Sequence, residues 1–156
     1  MNDTGVAEED LKMANVFTVA EYILDKLGPM TAMKLQKLVY YSQAWHLTWD
    51  EVPLFDEKIE AWANGPVVPA LYDAHRGEYR VAAGMFRDRA DCELNEDEIE
   101  SIEQVLEVYG DKDPQWLSNL THMEDPWKLA RTGIKEGARC NEEITKDTIV
   151  EYYSSI

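Results

Sequence analysis

Three histidines, two cysteines and one close group of acids are the residues of this 156-residue chain best suited to chemistry. His46, His75 and His122 stand far apart, and no HExxH or CxxC spacing links them to each other or to Cys92 and Cys140. A metal centre would have to be assembled from remote segments, so none is expected. His122 with Glu124 and Asp125 is the one local arrangement that could serve as an acid–base pair, and an enzyme would have to rest on it. The plainer role for His122 is a hydrogen-bonded imidazole that orients the turn before Pro126. No nucleophile elbow, phosphate-cradling glycine loop or dinucleotide fingerprint is present. The expectation is a protein with no catalytic residues, no metal and no cofactor.

Charge narrows the partners further. Asp and Glu outnumber Lys and Arg by 31 to 15, for a formal net charge of −16. Such a surface repels phosphate backbones at long range, which argues against direct nucleic-acid binding, and attracts a basic protein. Solubility alone also produces acidic surfaces. No apolar run approaches the roughly 18 to 20 residues a membrane span needs, and MNDTGVAEEDLK lacks the basic and apolar regions of a signal peptide. Cys92 and Cys140 show no redox spacing and are expected as reduced thiols, consistent with a cytoplasmic location, although sequence leaves a disulfide open.

The elements that must position these residues are mostly helices. Residues 1–11 are polar and acidic and are expected as a flexible tail, followed by one domain over 12–156. A first helix is expected from about Leu11 to Leu27, with Gly28 and Pro29 stopping it. Thr31 is the expected cap of a second helix ending near Trp49. That helix, MKLQKLVYYSQAWHLTW, has apolar residues on every face, so it belongs inside a bundle. Its Lys34, Gln36 and Lys37 must then snorkel or find partners. Leu54–Ala63 suggests a short extended segment, and Asn64, Gly65 and Pro66 a sharp reversal that lays Trp62 against the buried helix.

Beyond the reversal, a helix is expected up to His75 and another over Glu93–Tyr109, capped by Asn95. Between them, Arg76, Arg80, Arg87 and Arg89 form a local basic cluster, read as a solvated connection rather than a contact loop. Asp113 with Pro114, and Asp125 with Pro126, both have the cap-then-proline order of a helix start. Trp116, Leu117 and Leu120 should form an apolar ridge, and Thr145 should cap a last helix. The fold class expected is mainly α: a compact bundle of five to seven helices around a buried central helix, with room for one minor short β pair.

KLQKLVYYSQAW, its spacing to PLFDEKIEAWANGPVVPALY, and the later LSNLTHMEDPW and ITKDTIVEYY resemble the Panacea domain, the SocA-like antitoxin domain of phage-associated GepA-like proteins. The similarity runs from about Met30 to Tyr153. The family's motif positions fall on Leu35, Gln36, Lys37, Leu38, Tyr40, Tyr41, Trp62, Gly65, Pro66, His122, Pro126 and Trp127, most of them expected to serve the fold. The resemblance implies a helical antitoxin that neutralises a cognate protein toxin by direct contact. Some relatives act as adaptors that deliver a toxin to an ATP-dependent protease, so a protease or unfoldase is a further implied partner. A phage-encoded acidic inhibitor of a host protein, mimicking the charge of DNA, is the other reading. The toxin is expected from the adjacent gene. The expected contact edge comprises Lys37, Tyr41, Trp62, Asn64 and Arg80.

Overall fold

Residues 13–156 are described by the structure, a computed structural model. The expected tail over 1–11 lies outside them, as does the start proposed for the first helix. Asn15 accepts the Thr18 amide through its side chain and starts α1 (Val16–Leu27), so Met13 and Ala14 precede the helix. Thr31 does the same for Lys34 and starts α2 (Ala32–Asp50). Between them, β1 (Met30–Thr31) pairs antiparallel with β4 (Arg80–Val81). Glu51, with a φ of 63°, is the one non-glycine residue at positive φ among the described residues, and it closes α2.

The rest of the chain wraps α2. The hairpin β2 (Glu60–Trp62) and β3 (Gly65–Val67) leads into α3 (Pro69–His75). Helices α4 (Glu96–Tyr109), α5 (Pro114–His122), α6 (Asp125–Ala130) and α7 (Lys146–Tyr153) follow, with α4 and α7 making the most extensive contacts to α2. Seven α-helices and two small strand pairs among the described residues make a mainly α fold, with one strand pair more than expected. Leu35, Leu38, Val39, Tyr40, Tyr41 and Ala44 of α2 are at most 1% exposed. Each large apolar side chain so buried contributes about 1.5–3 kcal/mol before entropy is subtracted.

A helix with no wet face must satisfy its own polar side chains, and α2 does so on the backbone of its wrapping. The Gln43 amide donates to the Phe55 carbonyl at 2.8 Å, and its oxygen accepts the Leu54 amide at 2.7 Å. One glutamine thus substitutes for a strand edge and pins the segment after α2. Seven residues earlier, on the same face, Gln36 accepts the Val68 amide at 2.8 Å and pins the chain entering α3. Lower on the helix, His46 Nδ1 lies 2.8 Å from the Ser101 hydroxyl of α4.

Between Gln36 and Gln43 along α2, the core holds a tyrosine–carboxylate knot. Glu124 is 6% exposed, and its Oε1 accepts both the Tyr41 hydroxyl at 2.8 Å and the Tyr153 hydroxyl at 2.7 Å. Tyr40 lies 3.1 Å from Tyr153, oxygen to oxygen, and Tyr41 stacks on Tyr109 at 4.2 Å between ring centres. Tyr41 therefore belongs to the core and not to a contact edge, a correction whose cause is this buried acceptor. Glu124 also occupies the cap position of α6, and Asp125, expected there, is the first helical residue.

Trp62 packs edge-on against Tyr72 of α3 at 4.9 Å. Two other expectations change. The arginine-rich connection is anchored rather than simply solvated: the Glu21 carboxylate of α1 accepts the Gly84 and Phe86 amides, and Phe86 is buried beside Phe17. Trp116 is 44% exposed, so the expected ridge on α5 reduces to buried Leu117 and half-buried Leu120.

Two variants test these anchors. Gln43→Leu leaves the Leu54 amide and Phe55 carbonyl without their buried partner and should cost about 2–4 kcal/mol in chemical denaturation. Burial raises the Glu124 carboxyl above its ordinary 4.5, while the Tyr153 and Tyr41 hydroxyls pull it down. The folded state then holds that proton more tightly than the unfolded chain does, so this group's contribution to stability declines as pH rises above 4.5. Glu124→Gln keeps an acceptor for both tyrosines and removes the ionisation. Its melting temperature relative to the natural protein should climb from pH 4.5 toward neutrality in paired scans.

Candidate partner-binding cleft

Gly65 fixes the local geometry from which the site is built. The turn at Ala63 and Asn64 returns the chain with Gly65 at a φ of 125°, where a side chain is strained. A Cβ there would also fall 2.6 Å from the Lys37 Cε and 2.9 Å from the Thr121 hydroxyl. Glycine at this position is what lets the hairpin close over Lys37. Pro66 then offers its carbonyl to the Lys37 ammonium at 3.2 Å, and Trp62 offers its carbonyl to the Trp127 indole at 2.8 Å.

Beside the hairpin is a cleft of about 900 Å³. Its lining includes Gln36, Lys37 and His75, all at most 5% exposed, so these residues form its floor. Trp62, Tyr72 and Tyr79 supply aromatic surface, and Tyr79 is 79% exposed at the rim. The far wall is the segment Arg139, Cys140 and Asn141. Glu60 and Glu78 also line the cleft, so two carboxylates stand against the two cations Lys37 and Arg139. The cleft thus escapes the acidic excess of the chain as a whole.

Burial governs the titration of the floor. Desolvation pushes the Lys37 ammonium down to about 7. His75 is likewise lowered, first by burial and then by Lys37, against an opposing hydrogen bond to its own backbone. The Gln36 side-chain nitrogen lies 3.0 Å from His75 Nε2, and with Gln36 donating, Nε2 is the acceptor and the neutral ring keeps its proton on Nδ1. His122 is lowered by burial, then by Lys37 and Arg131. Its ring stacks on Trp127 at 4.0 Å, and its buried Nε2 has no hydrogen-bond partner. A backbone hydrogen bond to Asn64 ties it to the hairpin tip.

Arg131 holds the far wall in place. Its Nη1 donates to the Ala61 carbonyl at 3.0 Å, and its Nη2 to those of Lys135 and Ala138 at 3.2 and 2.7 Å. The guanidinium also lies over the Trp127 ring at 5.0 Å, completing a stack of Arg131, Trp127 and His122. A backbone bridge from Glu60 to Glu143 fastens the end of the same segment to β2.

Of the expected contact residues, the structure brings Lys37, Trp62 and Asn64 together in the cleft lining. Tyr41 is in the core, and Arg80 is exposed on β4 outside that lining. Leu35, Leu38 and Tyr40 are core residues, while Pro66, Pro126 and Trp127 brace the hairpin and α6. His75, Tyr79, Arg131 and Arg139 were not singled out by sequence as site residues. No local pattern marks them, because their roles depend on partners distant along the chain. Among the described residues, no group of three or more His, Cys, Asp or Glu side chains is arranged to hold a metal. No helix among them is long and apolar enough to cross a membrane.

Comparison with known proteins agrees with the motif pattern. Residues 35–128 match the family described as "Antitoxin SocA-like, Panacea domain". A curated relative, "Antitoxin SocA" of Caulobacter vibrioides (strain NA1000 / CB15N), is 27% identical over 158 residues, spanning 89% of this chain and 84% of its own. No solved structure matches. The matched span contains most of α2, the hairpin and α3 to most of α6, and stops short of Arg131 and the far wall.

Replacing Arg131 tests how that wall is held. Arg131→Met keeps much of the apolar stem and deletes the donors to three carbonyls, with an expected loss of about 2 kcal/mol or more. Hydrogen exchange should accelerate over residues 135–141 well beyond the change in α2; uniform acceleration throughout the chain would contradict local anchoring.

Proposed function

Because the chain belongs to the SocA-like, Panacea-domain antitoxin family, we propose that it neutralises a cognate protein toxin by binding it directly, with the cleft beside the β2–β3 hairpin as the contact surface. The observation that carries this reading is the likeness to a curated antitoxin along nearly the whole of both chains. Physical features of the surface favour it. A binding inhibitor needs a shaped, partly apolar depression with anchored walls, and the cleft offers Trp62, Tyr72 and Tyr79 for packing. It needs no chemistry of its own. The net charge of −16 steers a basic toxin toward encounter, while the cleft, balanced in charge, accepts the contact itself.

Co-expression tests the reading. The product of the adjacent gene should arrest growth when expressed alone, and this chain should restore growth while the toxin persists at unchanged level in a co-purifying complex. Disappearance of the toxin, reversed when the ATP-dependent proteases are removed, would replace occlusion by delivery for degradation. A neighbour that is harmless alone, or that stays toxic beside well-folded chain, would end the antitoxin reading.

A further inference from the structure

Lys37 sits where a lysine is unfavourable. It is 1% exposed in the middle of α2, and among the described residues no carboxylate pairs with it. Among the described residues the Pro66 carbonyl is its one hydrogen-bond acceptor, although an ammonium has three protons to place. Leucine or methionine would fill the same volume without the desolvation penalty. The surroundings nevertheless fit this side chain closely, since the hairpin must have glycine at position 65 to clear the Lys37 Cε. The residue also contributes to the lining of the cleft. A built, buried amine with no counter-ion among the described residues, at the floor of an open depression, is suited to be half of an ion pair.

Resting on the antitoxin reading above, we propose that the cleft receives a segment of the protein toxin bearing a carboxylate, which pairs with the Lys37 ammonium while its apolar neighbours pack on Trp62, Tyr72 and Tyr79. Charge complementarity selects this occupant. The remaining ionisable groups of the lining do not supply the missing anion: Glu60 accepts the Trp62 indole at 2.9 Å, and Glu78 is exposed at the rim. Arg139, also exposed, adds a second cation on the far wall. An incoming carboxylate meets Lys37 with little intervening water and restores the ammonium that burial weakens. The toxin as a whole can remain basic, because one acidic side chain or a chain terminus suffices.

The test uses the full chain and the product of the adjacent gene, purified as a complex. Lys37→Met, checked for folding by thermal melting, should bind that protein about tenfold more weakly or worse. Tyr79→Ala alters a side chain that is 79% exposed and should weaken binding without changing the melting transition. In the natural complex, a carbodiimide that couples amines to carboxylates should join Lys37 to an Asp, a Glu or the C-terminus of the partner, located by peptide mass mapping. Unchanged affinity of both variants, or coupling that bypasses Lys37 in an intact complex, overturns the anion anchor and leaves the antitoxin reading standing. Failure of the natural chain to form any complex with its neighbour overturns both.

Discussion

The fold depends on one constraint: a helix buried on every side has to satisfy its own polar side chains inside the protein. Gln36 and Gln43 meet it by acting as portable peptide groups, each offering one acceptor and one donor to a passing stretch of backbone. Removing such a residue leaves main-chain groups stranded in the interior, so the apolar wrapping of α2 and its polar clamps cannot be separated. The same logic applies to Glu124, which is tolerated because two tyrosine hydroxyls converge on it. Apolar burial supplies the driving force, and the polar contacts specify which segment lies against which face.

Local chemistry was legible in the sequence wherever cause and effect lie within a helical turn. Thr31, Asn95, Asp113 and Thr145 each accept an amide of the first turn, as cap residues of these types should. The absence of a polar face on α2 forecast its central position, and the Gly65–Pro66 reversal became a hairpin. Long-range pairing was not legible. Tyr41 gives the same sequence signal whether its hydroxyl meets water or a carboxylate 83 positions away, and the second circumstance moved it from a surface to the core. Glu124, read from the sequence only as an acid beside His122, receives two tyrosine hydroxyls from distant helices and takes the cap position from Asp125. Arg131 has no motif at all, since its three acceptors are main-chain carbonyls set by folding.

Electrostatics divides the molecule into two regimes. The surface carries an excess of acids that acts at a distance and weakens with salt. The floor of the cleft has no such excess, and its ionisable groups are lowered in basicity by burial rather than by surface charge. Approach and docking therefore answer to different physics, the first to net charge and the second to a few desolvated groups.

Arg131 has a wider consequence. The cleft has a floor made by helix and hairpin, and an opposite side made from a strip of irregular backbone fastened chiefly by a single guanidinium and a short bridge to β2. Side-chain changes at Lys135 and Ala138 leave the acceptors in place, because the guanidinium bonds to carbonyls that every residue type possesses. Such an arrangement lets evolution vary the recognition lip like an exchangeable jaw on a fixed vice, retuning which target is gripped without refolding the body that grips it.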